Sequence, residues 1–425
     1  MFWKIIYNLI LLPFLFLIIL IGIIFSSKIR AGFLGRLKSK KILNTFIKNS
    51  KNDVKDVFWF HAASLGEYEQ IKPVLSGLKE VEPNSYFILS VFSPSGYDYV
   101  KDDQIDCKIY LPFDFYWTIR ACLLIVKPKK IIFAGYDVWP NLIWAAKKLN
   151  IHSVLFAARF SKKSSKGFVL VRKFYRDIYN SFSAIYTISN SDNEQLFKII
   201  GKQNQPIIRI LGNPRYDQVK TKSDKFTKER TQSVIQRPKR LIFGSMHVED
   251  EKRLLESALG LLNDVKDLSF IWAPHDPSKK NIERIEDFFR SSEIHTNRLE
   301  DNDVNQVDGK VIIVDSIGRL SQLYWDAQIA YIGGGFSSGI HNVMEPAIAR
   351  LPVFFGPEYS KFHEAEELIL KGGGFSVESG AELFIQVKSL FENSSIFMNA
   401  SYSATKVVHD NLGSSTRIIR SLIHD

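Results

Sequence analysis

The sequence predicts an α/β protein: two doubly wound, Rossmann-like domains of parallel strands, one after the other, behind an N-terminal membrane-anchor helix. Three observations predict it. From Ile5 to Phe25 the only residues that are not plainly apolar are Tyr7, Asn8, Pro13 and Gly22, so the run approaches the ~20 residues that one helix needs to cross a bilayer core. Downstream, short β-branched and aromatic runs alternate with longer helix-like stretches, the pattern of open sheets with crossover helices. The alternation comes as two series separated by Gln218–Lys239, a stretch rich in Lys, Ser, Thr and Gln and poor in strand formers.

The N-terminal run has two readings, a cleaved signal peptide or a retained anchor. It is longer than a typical signal core, and Phe25-Ser26-Ser27-Lys28 offers no small-x-small cleavage pattern. Residues 1–27 are therefore expected to stay as an anchor. Lys28, Arg30, Arg36, Lys38, Lys40, Lys41 and Lys48 follow it, against Lys4 alone before it, and this bias sets the body on the cytoplasmic face of the inner membrane. The same cations favour an anionic membrane surface. That surface accounts for the net charge of +11 without nucleic acid, for which there is no aromatic-basic recognition motif. Both cysteines, Cys107 and Cys122, lie in apolar surroundings, which suits a reducing compartment and excludes a disulfide framework or thiolate metal cluster.

The first domain, residues 28–217, reads as strands at Val57–Phe60, Phe87–Phe92, Lys130–Ala134, Val154–Phe156, Ala184–Ile188 and Ile207–Leu211. Residues 218–239 read as a linker. The second domain, 240–425, reads as Arg240–Phe243, Ser269–Trp272, Val311–Val314, Ile329–Ile332 and Pro352–Phe355, with a last helix free to pack back on the first domain. Two such domains facing a central cleft would bring the carboxyl ends of both sheets to it, where ligands of doubly wound sheets bind. No fixed-period repeat interrupts either half.

Five loops carry candidate chemistry. His61-Ala62-Ala63-Ser64-Leu65-Gly66-Glu67 runs from a strand into a helix; Gly66 would let a ligand approach, the helix terminus would favour an anion, and Glu67 would point at the cleft. The same residue types also make an ordinary helix start with a first-turn Glu. Gly135-Tyr136-Asp137-Val138-Trp139-Pro140-Asn141 sets an acid and an indole at a strand end, which suits a polar substrate, while Trp139-Pro140 also starts a helix. Arg159 after the next strand is either a bidentate anion ligand or a surface ion-pair partner. Gly244-Ser245 could offer amides and a hydroxyl to a phosphate, and His247 beside them reads as a cap or core histidine. Gly333-Gly334-Gly335 opens toward Asn342 and Glu345; so many flexible residues cost backbone entropy unless a close approach requires them, and Glu345 is placed to take the hydroxyls of a ribose.

These stretches, in order and over nearly the whole chain, resemble the 3-deoxy-D-manno-oct-2-ulosonic acid (Kdo) transferases of lipopolysaccharide core synthesis. The resemblance rests on Ser64-x-Gly66-Glu67, Leu111-Pro112-x-Asp114, Trp139-Pro140-Asn141, Ala158-Arg159-x-Ser161, Gly212-Asn213-Pro214-x-x-Asp217, Gly244-Ser245-x-His247, Ile317-Gly318-Arg319-Leu320 and His341-Asn342-x-x-Glu345-Pro346. It implies a GT-B glycosyltransferase that moves Kdo from CMP-Kdo to a glucosamine hydroxyl of the lipid A precursor, with inversion and with neither metal nor cofactor. By the resemblance Glu67 is the general base and Asp137 orients the sugar. Gly244 and Ser245 hold the phosphate; Ile317, Gly318, Arg319, Leu320 and the Pro274-His275 turn flank cytidine; Glu345 takes the ribose. Ser64, Gly66, Trp139, Arg159, Gly334, Gly335 and Asn342 complete the expected substrate contacts.

The chain departs from the family pattern in four places, one of them Val343-Met344 where the family has Pro-Leu. An acid is common where Gly135 stands and Glu where Asp137 stands; Pro-Arg-His-Pro is replaced by Pro274-His275-Asp276-Pro277; and Ala157 stands where Asn is frequent. Two other functions compete with Kdo transfer: a GT-B transferase using another activated sugar on a membrane lipid, and a non-catalytic nucleotide-sugar sensor at the membrane.

Overall fold

The computed structural model describes residues 2–50, 55–160, 169–201, 205–227, 233–300 and 303–425. The chain divides into one unit made of Met1–Gln218 with Gly413–Asp425, and a second made of Val219–Leu412.

In the first unit seven parallel strands form one sheet: β1 Val57–Ala62, β2 Tyr86–Val91, β3 Cys107–Tyr110, β4 Lys130–Ala134, β5 His152–Ala158, β6 Ala184–Thr187 and β7 Ile207–Ile210, in the order β3-β2-β1-β4-β5-β6-β7. β1 shows why such strands read as continuous apolar runs: all six residues are buried, Val57 and Trp59 in the core on one face, Phe58 and Phe60 in the core on the other, because helices cover both faces of a parallel sheet. The second unit repeats the plan with β8 Arg240–Met246, β9 Ser269–Pro274, β10 Thr296–Arg298, β11 Val311–Ile313, β12 Ile329–Ile332, β13 Val353–Phe355 and β14 Gly374–Ser376, in the order β10-β11-β9-β8-β12-β13-β14. The fold class is GT-B. β3, β10 and β14 escaped the sequence reading because CKIY, TNR and GFS contain no continuous β-branched or aromatic run.

In each sheet the strand order reverses beside the first strand, between β1 and β4 and between β8 and β12. Ligands of such sheets bind outside the carboxyl ends of the strands at that point.

The stretch expected to be a linker carries the helix Arg215–Thr227 and a short 3-10 turn at Val234–Gln236. At its start Asp217 accepts hydrogen bonds from the Gly413 and Ser415 amides, both 2.6 Å, and so caps the final helix, Ser414–His424. The Gly212–Asp217 motif therefore fastens the chain's end to the first unit; Gly212 has φ +88 and would press a side chain into Ser414 Oγ at 2.4 Å.

Phe2–Phe25 is one helix, long and apolar enough to cross a membrane, and it fits a membrane anchor. Its polar interruptions are engaged with the first unit. Tyr7 Oη donates to the buried Asp114 at 2.8 Å, and the Asn8 and Asn141 amides pair reciprocally at 3.1 and 2.8 Å. A π-turn at Tyr7–Leu11 inserts one residue, which keeps Trp3, Tyr7, Leu12 and Phe16 on one stripe despite the five-residue step from 7 to 12. That stripe packs on Phe174, Trp144, Phe113 and Phe115 and on the core beneath them. Leu9, Phe14, Leu17, Ile21, Ile24 and Phe25 remain exposed. The following helix, Ser27–Asn49, carries the basic collar, except that Arg36 turns inward to donate to the Phe92 carbonyl at 2.7 Å and stack on its ring.

Candidate active site

The first unit's switch point is built by the loops after β1 and β4. Ser64 caps the helix Leu65–Val81, its hydroxyl accepting from the Glu67 amide. That cap turns Glu67 back over the helix start, where its Oε2 accepts from the Ala63 amide at 2.5 Å. Glu67 is only 8% exposed; burial pushes its carboxyl up to about 7, opposed by the Ala63 amide and reinforced by the Asp137 charge. A buried carboxyl poised near neutrality is suited to exchange protons with a hydroxyl.

Gly135 lies against it: a Cβ there would stand 3.5 Å from Glu67 Oε1, and the backbone has φ +77. Asp137 accepts from Trp139 Nε1 at 3.2 Å and lies 3.7 Å from His61 Nε2. Trp139 Nε1 also reaches His61 Nε2 at 3.0 Å, and His61 Nδ1 meets Ser90 Oγ at 2.9 Å. The sequence reading gave Trp139 to the substrate, but its indole packs on Phe92 with ring centres 4.9 Å apart, and its nitrogen is engaged within the protein. His61, 1% exposed, opened the candidate loop in the sequence reading without a role; the strand runs through it to Ala62, and it contacts Trp139 and Asp137.

Gly66 is exposed and unconstrained, with Ser64 Oγ at 3.8 Å the nearest atom to a hypothetical Cβ. Arg159 follows β5 and is half-buried; Ser161 of its motif lies outside the described residues. Ala157 just before it has φ 49, a left-handed conformation in which Asn is far commoner than Ala. The family's frequent Asn thus has a backbone reason. Leu111–Asp114 and Pro140–Asn141 have a structural use as well: Asp114 caps the helix Pro140–Lys148 through the Asn141 and Leu142 amides at 3.0 and 3.1 Å and holds Tyr7.

In the second unit the loops after β8, β9 and β12 meet. Gly244 is buried, and a Cβ there would strike Tyr324 Oη at 2.6 Å; Ser245 has φ 56. The glycine run was read as room for a ligand, and the structure gives each glycine an internal reason. Side chains on Gly333, Gly334 and Gly335 would lie 2.3, 2.3 and 2.4 Å from backbone atoms of Ser245, Gly339 and Gly356. The loop is pinned by Asp250, a residue the sequence reading did not single out. Fully buried, Asp250 accepts from the Gly334 amide at 2.7 Å, Tyr331 Oη at 3.0 Å, the His247 amide at 3.2 Å and the Phe336 amide at 3.4 Å.

Glu345 is half-buried and accepts from Ser321 Oγ at 2.7 Å, which links it to the Ile317–Leu320 loop. Ile317 is 85% exposed and Gly318 has φ +95 with open space around it, a bare apolar edge of the kind a ring can lie on. Arg319 donates to the Glu300 carbonyl. Asn342 Oδ1 accepts from the Met344 amide at 3.0 Å, closing the turn just before the helix Met344–Ile348. Pro274 ends β9 and His275 is exposed. His275 meets His247 and His341, three imidazoles brought together from separate loops.

Residues 32–218 match the family described as 3-deoxy-D-manno-octulosonic-acid transferase (kdotransferase). The chain is 27% identical over 351 residues to the 3-deoxy-D-manno-octulosonic acid transferase of Aquifex aeolicus, covering 81% of this chain and 89% of the relative. It is 26% identical over 408 residues to that of Rickettsia bellii, 94% of each. In fold it is similar to UDP-GlcNAc 2-epimerase from Neisseria meningitidis bound to UDP-GlcNAc, with TM-score 0.60, 15% identity, 88% of this chain and 100% of that one.

Proposed function

We propose that this chain, similar to 3-deoxy-D-manno-octulosonic acid transferases over most of its length, transfers Kdo from CMP-Kdo to a glucosamine hydroxyl of the lipid A precursor. The observation that carries the mechanism is Glu67, a buried carboxyl raised to about 7 at the switch point of the first sheet. Glu67 takes the proton of the acceptor hydroxyl as its oxygen attacks the anomeric carbon of Kdo; the bond to the CMP phosphate breaks, CMP leaves with the electron pair, and configuration inverts. Asp137, held by Trp139, orients the sugar and keeps the Glu67 carboxyl basic through its charge.

The first unit takes the acceptor, with Ser64 and Gly66 at the helix terminus and Arg159 for a carboxylate or phosphate. The second unit takes the donor. Gly244 and Ser245 meet its phosphate, Pro274, His275 and Ile317–Leu320 lie beside cytidine, and Glu345 binds the ribose. Gly334, Gly335 and Asn342 serve by holding that loop's shape, as their contacts describe. The exposed face of Phe2–Phe25 sits in lipid, the Ser27–Asn49 cations meet anionic headgroups, and the body works on the cytoplasmic face of the inner membrane, where the acceptor's acyl chains hold it within reach.

The test is product mass. Purified protein with CMP-Kdo and a tetra-acylated precursor should add Kdo to the acceptor, and CMP should compete where UDP does not. Preference for UDP, or tight CMP-Kdo binding without turnover, would overturn the reading.

A further inference from the structure

We propose that His247, His275 and His341 form a binding site for one first-row transition-metal dication, of the zinc or cobalt class. The imidazoles leave three neighbouring strands, His247 after β8, His275 after β9 and His341 in the loop after β12, and their ligand nitrogens all lie within 4.8 Å of one another. Three imidazoles set tetrahedrally around a cation with bonds of ~2.0–2.1 Å hold their nitrogens ~3.3 Å apart and their ring centres ~5 Å apart. Here the ring centres are 4.5, 4.7 and 5.1 Å apart, so small ring rotations suffice.

Protonation is what decides between a cation and an anion as occupant. Ser337 Oγ donates to the Gly334 carbonyl at 3.2 Å. Its remaining contact, His247 Nδ1 at 3.2 Å, is then served by an Nδ1–H, which leaves His247 Nε2 with a lone pair pointing into the cluster. That Nε2 lies 2.8 Å from His341 Nε2, a contact that an Nε2–H of His341 makes without a cation and that a cation would take over by displacing that proton. One shared proton would satisfy that pair alone and leaves the third imidazole's approach unexplained. An all-imidazole set selects zinc, cobalt, nickel or copper over magnesium or calcium. Three protein ligands leave a position open for water or an anionic oxygen, and Ser337 serves as the orienting partner that metal-bound histidines require.

The sequence reading gave this family scheme no metal, and the transfer proposed above draws no step through one. The site is therefore tested without substrate, so its failure and the failure of the transfer reading are separate results. Tag-free full-length protein, stripped with chelator, is titrated with Zn2+ and with Co2+. The expected result is one equivalent per chain, with the visible d–d absorption of a four- or five-coordinate cobalt site. H341A and H275A should each lower affinity at least ~100-fold and S337A ~10-fold. His275 is exposed, so H275A keeps the fold, and unfolding curves without metal check each variant. No stoichiometric uptake, or uptake unchanged in H275A and H341A, overturns the site.

Discussion

At the carboxyl edge of the first sheet, a Cβ on Gly66 would find only Ser64 Oγ at 3.8 Å; at the edge of the second, a Cβ on Gly335 would be driven to 2.4 Å from the Gly356 backbone. The ionisable groups differ in the same sense. The first edge exposes Ser64, Leu65, Gly66 and Tyr136 but buries a carboxyl, Glu67, raised to about 7 beside a second acid. The second edge buries its carboxylate, Asp250, as a fastening for the glycine loop and presents imidazoles and amides instead. One edge keeps a proton acceptor in an open turn, and the other spends its glycines on its own close packing. A glycine is evidence for a ligand only after the protein's own backbone has been shown not to need it.

That contrast is open to attack by mutation, and the largest effect is expected at Asp250. Asp250→Ala leaves four donors facing a void and should cost the second unit about 3 kcal/mol or more, read by denaturant unfolding; a loss below 1 kcal/mol would deny Asp250 its fastening role. Gly335→Ala should cost about 1–3 kcal/mol from overpacking, while Gly66→Ala should leave stability unchanged and lower transfer. Equal stabilities for the two would erase the comparison. Asn8→Leu keeps the N-terminal helix apolar but takes from the buried Asn141 amide its reciprocal partner, leaving it only the Asp114 carbonyl, a change of about 1–2 kcal/mol measurable in the first unit's unfolding and as faster proteolysis of the detached helix.

The smallest expected effect is in pH. Glu67 has a folded value raised above its unfolded one, so its contribution favours folding fully below about pH 4.5 and is lost as pH rises through about 7. Glu67→Gln should flatten the wild-type decline in stability across that window; an unchanged slope would place the decline elsewhere.

Much of this was legible in the chain. The longer strands announced themselves because β1, β4 and β8 are buried on both faces, and the turns carrying Glu67, Asp137 and Glu345 lie where strand-to-helix spacing put them. What was illegible depends on contacts distant in sequence. Asp114 and Asp217 entered only as residues of matching motifs, without a role, and the structure uses them to hold the N-terminal and C-terminal helices. His61 was named at the head of its loop, but its contacts with Ser90, Trp139 and Asp137 come from other strands and loops. The three histidines share no spacing a metal motif would have, since three strands deliver them independently, and only the sheet order makes them neighbours. The polar breaks Tyr7 and Asn8 in the apolar run looked like weak points of a membrane helix; they are its docking contacts.

The central claim is that Glu67 is the base of Kdo transfer, and the most direct test is the pH profile of single-turnover transfer for the wild type beside Glu67→Gln, with folding checked at each pH. The account predicts a wild-type rate that climbs through about pH 7 as Glu67 ionises, and a variant slower by about 10²–10⁴-fold with that limb gone. A Glu67→Gln enzyme that keeps wild-type turnover, or keeps the limb, would contradict it.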